Sequence, residues 1–295
     1  MKNKNIKPEF CVQGASYIGC PRPNTAMFVS KKVSHLINAL DGVSNCVVFA
    51  ESGMEVSEAI KNNNYVIFSD SPQRDYAEYV TELSEERFEK DRKRKYQLTE
   101  GGYYIGENTK IGNDVYIEPG CLIGHDVEIG VGVRIMKGAV IKNAIVGDYC
   151  IVNEYATVGI FGFTMAEDAE GNKFRIPSMG KVIIGNYVEI GAHDSISCGS
   201  GGDTLIDDYV KIDALVHVGH DVHLHKNAEL TAGAIIGGFV DFGEQAYAGI
   251  NSVVRNRLNI GTKAFIGMGA TVTKSVESNV TVVGNPAKPL FREGK

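Results

Sequence analysis

Three things that the chain lacks limit what it can be. Its 295 residues contain no run of about eighteen apolar residues, so no membrane-spanning helix is expected. Segment 1–10 is polar and has no apolar core of the kind found in a signal peptide, which argues against export. The net charge of −6 provides no general attraction for nucleic acid or for an anionic membrane. We therefore expect a cytoplasmic protein with neither kind of partner.

Paired cysteines are also missing. No C-x-x-C motif and no closely spaced cysteine framework occurs, which argues against a disulfide-stapled fold or a cysteine-ligated metal. The pattern is typical of ordinary thiols in a reducing compartment. The six cysteines stand at positions 11, 20, 46, 121, 150 and 198.

What the chain has instead is a repeat of six residues. An apolar residue recurs at every sixth position from 206 to 272, and earlier runs with this spacing cover 105–158, with a one-residue shift before Val146, and 184–196. Neither an α-helix nor a single strand produces a period of six. The spacing predicts a parallel β-helix of about eight coils, with three short strands per coil and the repeated residue inside.

The region before residue 100 lacks this repeat and predicts a small α/β domain. Segments 46–50 and 65–68 are predicted strands, while 53–61 and 72–83 are predicted helices. The charged run 84–96 is predicted to be a solvated helix or linker, with a polyanion site as the alternative. The predicted units are an α/β domain over 1–100, a β-helix over 101–280 and a tail over 281–295.

The six-residue register is interrupted twice. It skips 26 residues between Val158 and Ile184, and ten between Ile196 and Ile206. Interruptions of a regular scaffold are where loops with a function concentrate. The longer insertion, 159–183, contains phenylalanines that a purely solvated loop would not need, so we expect it to line a substrate pocket. The residues predicted to do so are Phe161, Gly162 and Phe163.

A histidine cluster follows the second interruption. One histidine acting as a general base is the first interpretation, since imidazole exchanges protons near neutrality. A zinc site of the γ-type carbonic anhydrase kind, using His220 and His225, is the second. Its third ligand would lie about two coils earlier, where residues 183–184 are isoleucines, so no metal is predicted. The cluster comprises His217, His220, His223 and His225.

Several segments resemble the UDP-3-O-acylglucosamine N-acyltransferases, over about residues 100–275. This resemblance implies a left-handed β-helix, a nucleotide-binding α/β domain before it, and a homotrimer with active sites between subunits. The segments include Gly159-Ile-Phe-Gly-Phe163, Gly171-Asn-Lys-Phe-Arg-Ile-Pro177, Gly180-Lys-Val-Ile-Ile-Gly185, Val188-Glu-Ile-Gly191, Lys211-Ile-Asp213 and Val218-Gly-His-Asp-Val222.

The resemblance implies three catalytic positions. His220 falls on the family's catalytic base, and Asp213 falls on a carboxylate that would fix the imidazole tautomer. Gly238 falls on the donor of a backbone N–H to the oxyanion. It also lies 18 residues after His220, which places it one coil below in an unbroken register.

The same arithmetic predicts a donor site. Asn256 and Lys274 continue the column below Gly238, and His220 to Lys274 would span about 14 Å at roughly 4.8 Å per coil. That length is comparable to a phosphopantetheine arm. Gly237 is placed with them as a donor-binding residue. The donor's phosphates are predicted to meet four cations, Lys274, Arg255, Arg257 and Lys288.

Two departures from the family pattern affect the substrates. Ser30 and Lys32 lie in the stretch aligned with the family's uridine-binding segment, which here has no stacking aromatic residue. The C-terminal segment 282–288 is typical of acetyl-CoA-dependent acetyltransferases. A related nucleotide-linked amino sugar is therefore expected as acceptor, with acyl-CoA and acyl carrier protein (ACP) as alternative donors.

Together these observations predict an N-acyltransferase with no permanently bound cofactor. The alternatives are an O-acyltransferase of the same fold, a non-catalytic trimeric β-helix scaffold, and a zinc hydratase.

Overall fold

The computed structural model describes residue 6 and residues 8–290, so the end of the predicted tail, 291–295, lies outside the described residues. The chain forms two compact units. One comprises Met1–Lys93, Phe163–Gly180 and Ser200–Gly202, and the other comprises Arg94–Gly162, Lys181–Gly199 and Asp203–Lys295. Most of the 159–183 insertion thus groups with the N-terminal unit, whereas the sequence analysis placed it in the β-helix domain.

The N-terminal unit is built on a parallel four-stranded sheet with its strands in sequence order. Both strands predicted from the sequence are present, as β3 and β4. Within the described chain, no helix is both long and apolar enough to cross a bilayer. The elements are β1 Gly14–Ala15, β2 Thr25–Val29, a 3₁₀ helix Lys31–Leu40, β3 Val47–Glu51, α1 Glu58–Asn63, β4 Tyr65–Ser69 and α2 Pro72–Asp91.

The two predicted helices have different ends from those expected. Helix α1 begins only after Ser57, whose hydroxyl accepts a hydrogen bond from the Ile60 N–H, while Gly53 has a φ of +77°. Helix α2 continues through the charged run as far as Asp91. Its buried face packs on the sheet, where Tyr76 and Tyr79 contact Phe49. The charged run is therefore largely a solvated helix, as predicted.

The second unit consists of very short strands. In chain order, with the hairpin β16–β17 of the N-terminal unit included, they are β5 Gln97–Leu98, β6 Tyr104–Ile105, β7 Lys110–Ile111, β8 Tyr116–Ile117, β9 Leu122–Ile123, β10 Glu128–Ile129, β11 Arg134–Ile135, β12 Val140–Ile141, β13 Ala144–Val146, β14 Ile151–Val152, β15 Thr157–Phe161, β16 Met165–Glu167, β17 Lys173–Arg175, β18 Val182–Ile184, β19 Glu189–Ile190, β20 Ser195–Cys198, β21 Thr204–Ile206, β22 Lys211–Ile212, β23 His217–Val218, β24 His223–Leu224, β25 Glu229–Leu230, β26 Ile235–Ile236, β27 Asp241–Phe242, β28 Tyr247–Ala248, β29 Val253–Val254, β30 Asn259–Ile260, β31 Phe265–Ile266, β32 Thr271–Val272, β33 Thr281–Val283 and β34 Lys288–Pro289.

These strands form three sheets, which are the faces of a triangular prism. Face I has eight strands, β7 to β30, and face II has ten, β8 to β34. Face III also has ten, β5 to β32. The chain visits the faces in the order I, II, III, and each strand pairs in parallel with the strand one coil away, except at the antiparallel pairs β5–β6 and β33–β34. The predicted parallel β-helix is therefore confirmed.

The repeated apolar residues form the core of the prism. All twelve register positions from Ile206 to Val272 are at most 2% exposed. Glycine follows many of them because the coils approach closely at the corners. A Cβ on Gly219 would lie 2.6 Å from the backbone nitrogen of Gly238, a distance that real Cβ atoms do not show.

The longer insertion forms the β-hairpin β16–β17. Its turn is closed by Asp168, whose carboxylate accepts hydrogen bonds from the backbone of Glu170 and from both the backbone and the side chain of Asn172. These bonds, led by that of the Asn172 side chain, hold the pKa of Asp168 below its usual range. Ala166 and Ile176 join the apolar cluster around Phe49 and Tyr76 within the N-terminal unit.

Candidate active site

His220 lies at the corner where the chain passes from β23 on face III to β24 on face I. Its ring is enclosed between two glycines, and its side chain is only 15% exposed. A methyl group on Gly162 would lie 2.7 Å from Cδ2 of His220, and one on Gly238 would lie 2.8 Å from Nε2. Only glycine at both positions leaves room for the imidazole. The structure thus brings together three predicted site residues: His220, Gly162 and Gly238.

Asp221 is the carboxylate partner of this histidine. Its Oδ2 lies 2.8 Å from Nδ1 of His220, and its side chain is 3% exposed. The backbone N–H of Asp221 donates to the hydroxyl of Thr204, which is fully buried, so the corner is held in place. A carboxylate at Nδ1 favours the tautomer that is protonated there, in which Nε2 can accept a proton.

The predicted pairing of His220 with Asp213 is wrong. Asp213 lies at the corner between faces II and III, one face earlier than His220, and its carboxylate accepts hydrogen bonds from backbone N–H groups of Ala214 and Ala232. A separation of seven residues is one full strand and turn plus one residue, so it moves a side chain to the next corner. Asp213 therefore joins neighbouring coils and lines a separate cavity of about 480 Å³.

The predicted column follows the observed register. Strands β23, β26, β29 and β32 are stacked so that Val218, Ile236, Val254 and Val272 pair in sequence. Each column residue lies two positions after one of these. The corner after Val272 is shorter than the others. The next residue to pair with face I is Val276, which bridges to Ile260 and lies four positions after Val272 rather than six. The column consists of His220, Gly238, Asn256 and Lys274, with Gly237 packed against the Asn256 backbone.

Arg257 is placed beside the histidine through an aromatic ring that the sequence analysis missed. Its guanidinium carbon lies 4.2 Å from the ring centroid of Phe239, and that ring meets His220 edge-on at 5.2 Å. The signal was available, since Asp221, Phe239 and Arg257 are 18 residues apart and all have positive φ. Lys288, by contrast, lies in β34 at the end of face II, so it is not on the face of the column.

His217, a member of the predicted histidine cluster, is a second neighbour of the site. Its Nδ1 lies 3.3 Å from the Ser195 hydroxyl on the adjacent strand of face III. Burial, with a contribution from the charge of His220, holds the pKa of His217 below its usual value. It is therefore suited to act as a neutral hydrogen-bonding group.

The N-terminal unit contains a cavity of about 720 Å³. Ser30 and Lys32 both line it, together with Lys31 and Arg74. Acidic groups are present too, and Glu51 accepts a hydrogen bond from the Lys31 N–H at 2.8 Å. The cavity can hold a polar ligand of nucleotide size, with cations available for phosphates.

The phenylalanines of the insertion are divided between the two units. Phe161 ends β15 of the β-helix and pairs with Cys198, while Phe163 belongs to the N-terminal unit. The Phe163 ring is 74% exposed and lies 5.2 Å from the guanidinium carbon of Arg175. The predicted trio Phe161, Gly162 and Phe163 is thus not one cluster within a single unit.

The family comparison identifies the repeat. A model for the bacterial transferase hexapeptide, covering six repeats, matches residues 102–135. The repeats in this segment are thus similar to bacterial transferase hexapeptide repeats. Their presence, with the parallel strands described above, identifies the prism as a left-handed β-helix.

Relatives support the resemblance seen in the sequence. A Caulobacter sp. (strain K31) protein named UDP-3-O-acylglucosamine N-acyltransferase is 39% identical over 154 residues, 52% of this chain and 45% of the relative. A probable UDP-3-O-acylglucosamine N-acyltransferase 2, mitochondrial, from Arabidopsis thaliana is 35% identical over 150 residues, 51% of this chain and 49% of the relative. The chain thus spans just under half the length of these relatives, and the resemblance is confirmed over the part that aligns.

Solved structures show the same fold. The UDP-N-acetylglucosamine acyltransferase from Campylobacter jejuni superposes with a TM-score of 0.58 at 26% identity, over 64% of this chain and 72% of that one. The Francisella novicida enzyme of the same name has a TM-score of 0.59 at 24% identity, over 65% and 69%.

Proposed function

We propose that this protein is an N-acyltransferase that moves an acyl group from a pantetheine thioester to the amine of a nucleotide-linked amino sugar. The observation that carries the proposal is the enclosed pair of His220 and Asp221, with the Gly238 backbone against the imidazole. The names of the relatives support the reaction type and the kind of acceptor.

In the proposed reaction, the amine nitrogen of the sugar forms a bond to the thioester carbon, and Nε2 of His220 takes a proton from that amine. The carbonyl oxygen then carries a negative charge, which the backbone N–H of Gly238 stabilises. When the intermediate collapses, the carbon–sulfur bond breaks and the imidazolium returns its proton to the leaving thiolate. Asp221 holds the imidazole and stabilises its charged form during the step.

The donor arm lies along the column in this proposal. Asn256 and Gly237 contact the pantetheine, while Arg257 and Lys274 face the phosphates at its far end. The register supports the positions of Gly237 and Asn256 and the corner at which Lys274 lies. The contact of Arg257 with Phe239 supports the position of Arg257. Acyl-CoA and ACP are alternative donors with the same arm. The position of Lys288 on face II makes it the weakest member of this set.

The N-terminal unit, proposed to extend to about residue 100, holds the nucleotide in its cavity. Ser30 and Lys32 contact the phosphates there, as the lining of the cavity supports. Phe161 and Phe163 bind the sugar or the acyl chain. We further propose that the protein works as a cytoplasmic homotrimer, because groups on the outer faces of a prism need a neighbouring copy to close a site.

A thiol-release assay tests this function. The full chain is mixed with a panel of UDP-linked amino sugars, and with either acyl-CoA or acyl-ACP of several chain lengths. We expect release of one thiol per amide formed with at least one pair, confirmed by mass spectrometry of the product. The CoA and ACP arms of the panel distinguish the donors. An ester in place of an amide would identify an O-acyltransferase, and thiol release with no acceptor in the panel would contradict the proposal.

A further inference from the structure

Two histidines and two carboxylates meet on the β-helix just beyond the candidate active site. Nε2 of His223 lies 3.0 Å from Oδ1 of Asp207, and Nδ1 of His225 lies 3.6 Å from Oδ2 of the same carboxylate. On its other side, Nε2 of His225 lies 3.1 Å from Oδ1 of Asp241. The two imidazole rings are 3.8 Å apart between centroids. We call these four residues the face I cluster.

The register of the coils explains why these side chains meet. His223 and His225 are two residues apart and therefore project to the same side of their strand. An 18-residue step places Asp207 one coil before His225, and another places Asp241 one coil after His223, where the strands pair. Three successive coils thus present polar groups to one point on face I and its edge.

The orientation of His225 is the arrangement that metal-binding histidines adopt. One ring nitrogen points to the shared carboxylate, while the other is hydrogen-bonded to a second carboxylate, that of Asp241. Such an outer carboxylate fixes the ring and increases its basicity as a ligand. A simple surface ion pair does not need a carboxylate on each side of the same imidazole.

We propose that Asp207, His223 and His225 bind a divalent transition-metal ion of the zinc class. One possible ligand atom from each residue lies within 4.8 Å of the other two. Metal–ligand distances of about 2.0–2.2 Å separate tetrahedral ligand atoms by roughly 3.3 Å, so small side-chain rotations suffice. Two imidazoles and one carboxylate suit zinc, cobalt or nickel better than calcium or magnesium.

The proposed ion has open coordination positions. The three ligand side chains are between 30% and 41% exposed, so water can complete the coordination sphere. His220 does not belong to the site: its Nδ1 contacts Asp221, and it lies at the corner before face I. The ion is therefore separate from the proposed acyl transfer, and either proposal can fail without the other.

Cobalt titration of the full chain tests the site. Protein stripped with a chelator is titrated with Co²⁺, and binding is followed by visible absorption and by calorimetry. We expect one ion per chain at micromolar affinity, displaced by Zn²⁺. His223→Ala and the isosteric Asp207→Asn should each weaken binding at least tenfold, and Asp241→Asn should weaken it by roughly 10- to 100-fold. His35→Ala, at an exposed histidine of the N-terminal unit, should leave it unchanged.

Three results would overturn the proposal. The first is no saturable binding at micromolar Co²⁺, which would reduce the cluster to a hydrogen-bonded network. The second is binding that survives both His223→Ala and Asp207→Asn in variants whose circular dichroism matches the parent. The third is strong near-ultraviolet absorption of the cobalt form, lost with the exposed thiols in Cys11→Ser and Cys20→Ser, which would assign the ion to cysteine.

Discussion

Two histidine sites occur within six residues of this β-helix, and their surroundings differ sharply. His220 is 15% exposed, contacts the Asp221 carboxylate, and lies between two glycines. His225 is 33% exposed and has a carboxylate on each side. The first arrangement packs the imidazole against the Gly238 backbone, while the second brings a carboxylate to each ring nitrogen. The same residue type is thus suited to proton transfer at a corner and to ligand binding on a face.

The two histidines have different surroundings because different residues lie one coil away from them. A side chain on a β-helix has neighbours that are fixed by the 18-residue step, rather than by nearness in the chain. At position 220 that step leads to glycine, and at position 223 it leads to aspartate. The chemistry of a side chain on this scaffold therefore depends on the residues 18 positions before and after it. Substitutions in one such column should affect one of the two sites and leave the other unchanged.

The largest expected effect is that of His220→Ala. Removing a general base should lower kcat by about 10²- to 10⁴-fold, while the KM for the sugar changes little. His225→Ala is the matched control, since it removes an imidazole from the neighbouring column, and it should retain activity within about twofold of the parent. Steady-state thiol release measures both. Equal losses in the two variants would mean that the two sites act as one.

The next effect separates the two carboxylates near the site. Asp221→Asn should lower kcat by about 10²-fold or more, because the amide no longer favours the productive tautomer of His220. Asp213→Asn, which alters a carboxylate bonded only to backbone N–H groups, should leave kcat within about twofold.

Both variants are to be compared at matched thermal stability. A large loss with Asp213→Asn and none with Asp221→Asn would restore the pairing of His220 with Asp213.

These carboxylates also show where sequence reasoning succeeds. Core residues repeat with the period of the coil, so the fold and the Gly238 column follow from arithmetic. The pairing of His220 with Asp221 could not be found in this way, because adjacent residues at a corner can point together or apart. That depends on the local backbone, and Asp221 has a φ of +57°.

The N-terminal unit was predictable only in part. Strands β3 and β4 are continuous apolar runs, and such runs identify buried strands. Strand β1 has only two residues, and the β16–β17 hairpin packs with helix α2, which lies far earlier in the chain. No local pattern reports contacts of that kind, so the partition of the 159–183 insertion had to come from the structure.

A third prediction concerns Asp194, a buried carboxylate with a structural role in the same coils. It accepts hydrogen bonds from the Gly191 and Val216 N–H groups, and burial raises its pKa to about 7, with a smaller contribution from the charge of Asp213. Since the unfolded chain releases this proton near pH 4, its contribution to stability is complete below that pH and is lost as the pH rises to about 7.

Asp194→Asn should therefore flatten the decline in melting temperature between about pH 4 and 7. It should also destabilise the fold at pH 5 by about 1–3 kcal/mol, because the amide can accept only one of the two N–H groups. Thermal unfolding at several pH values measures both. An unchanged pH dependence in the variant would show that the Asp194 carboxyl does not titrate in this range.

The smallest expected effect lies at the far end of the column. Lys274 is exposed and lies three coils after His220 at the corner that follows face III, where the proposed donor carries its phosphates. Lys274→Glu should raise the donor KM roughly fivefold, since reversing one exposed charge changes an ion pair by about 1 kcal/mol. The effect should be larger at low ionic strength and absent from the sugar KM. Lys263→Glu, at another exposed lysine that lies at a different corner, controls for net charge. If both variants raised the donor KM equally, general electrostatics would account for the effect; if only the sugar KM rose, the column would not be the donor path.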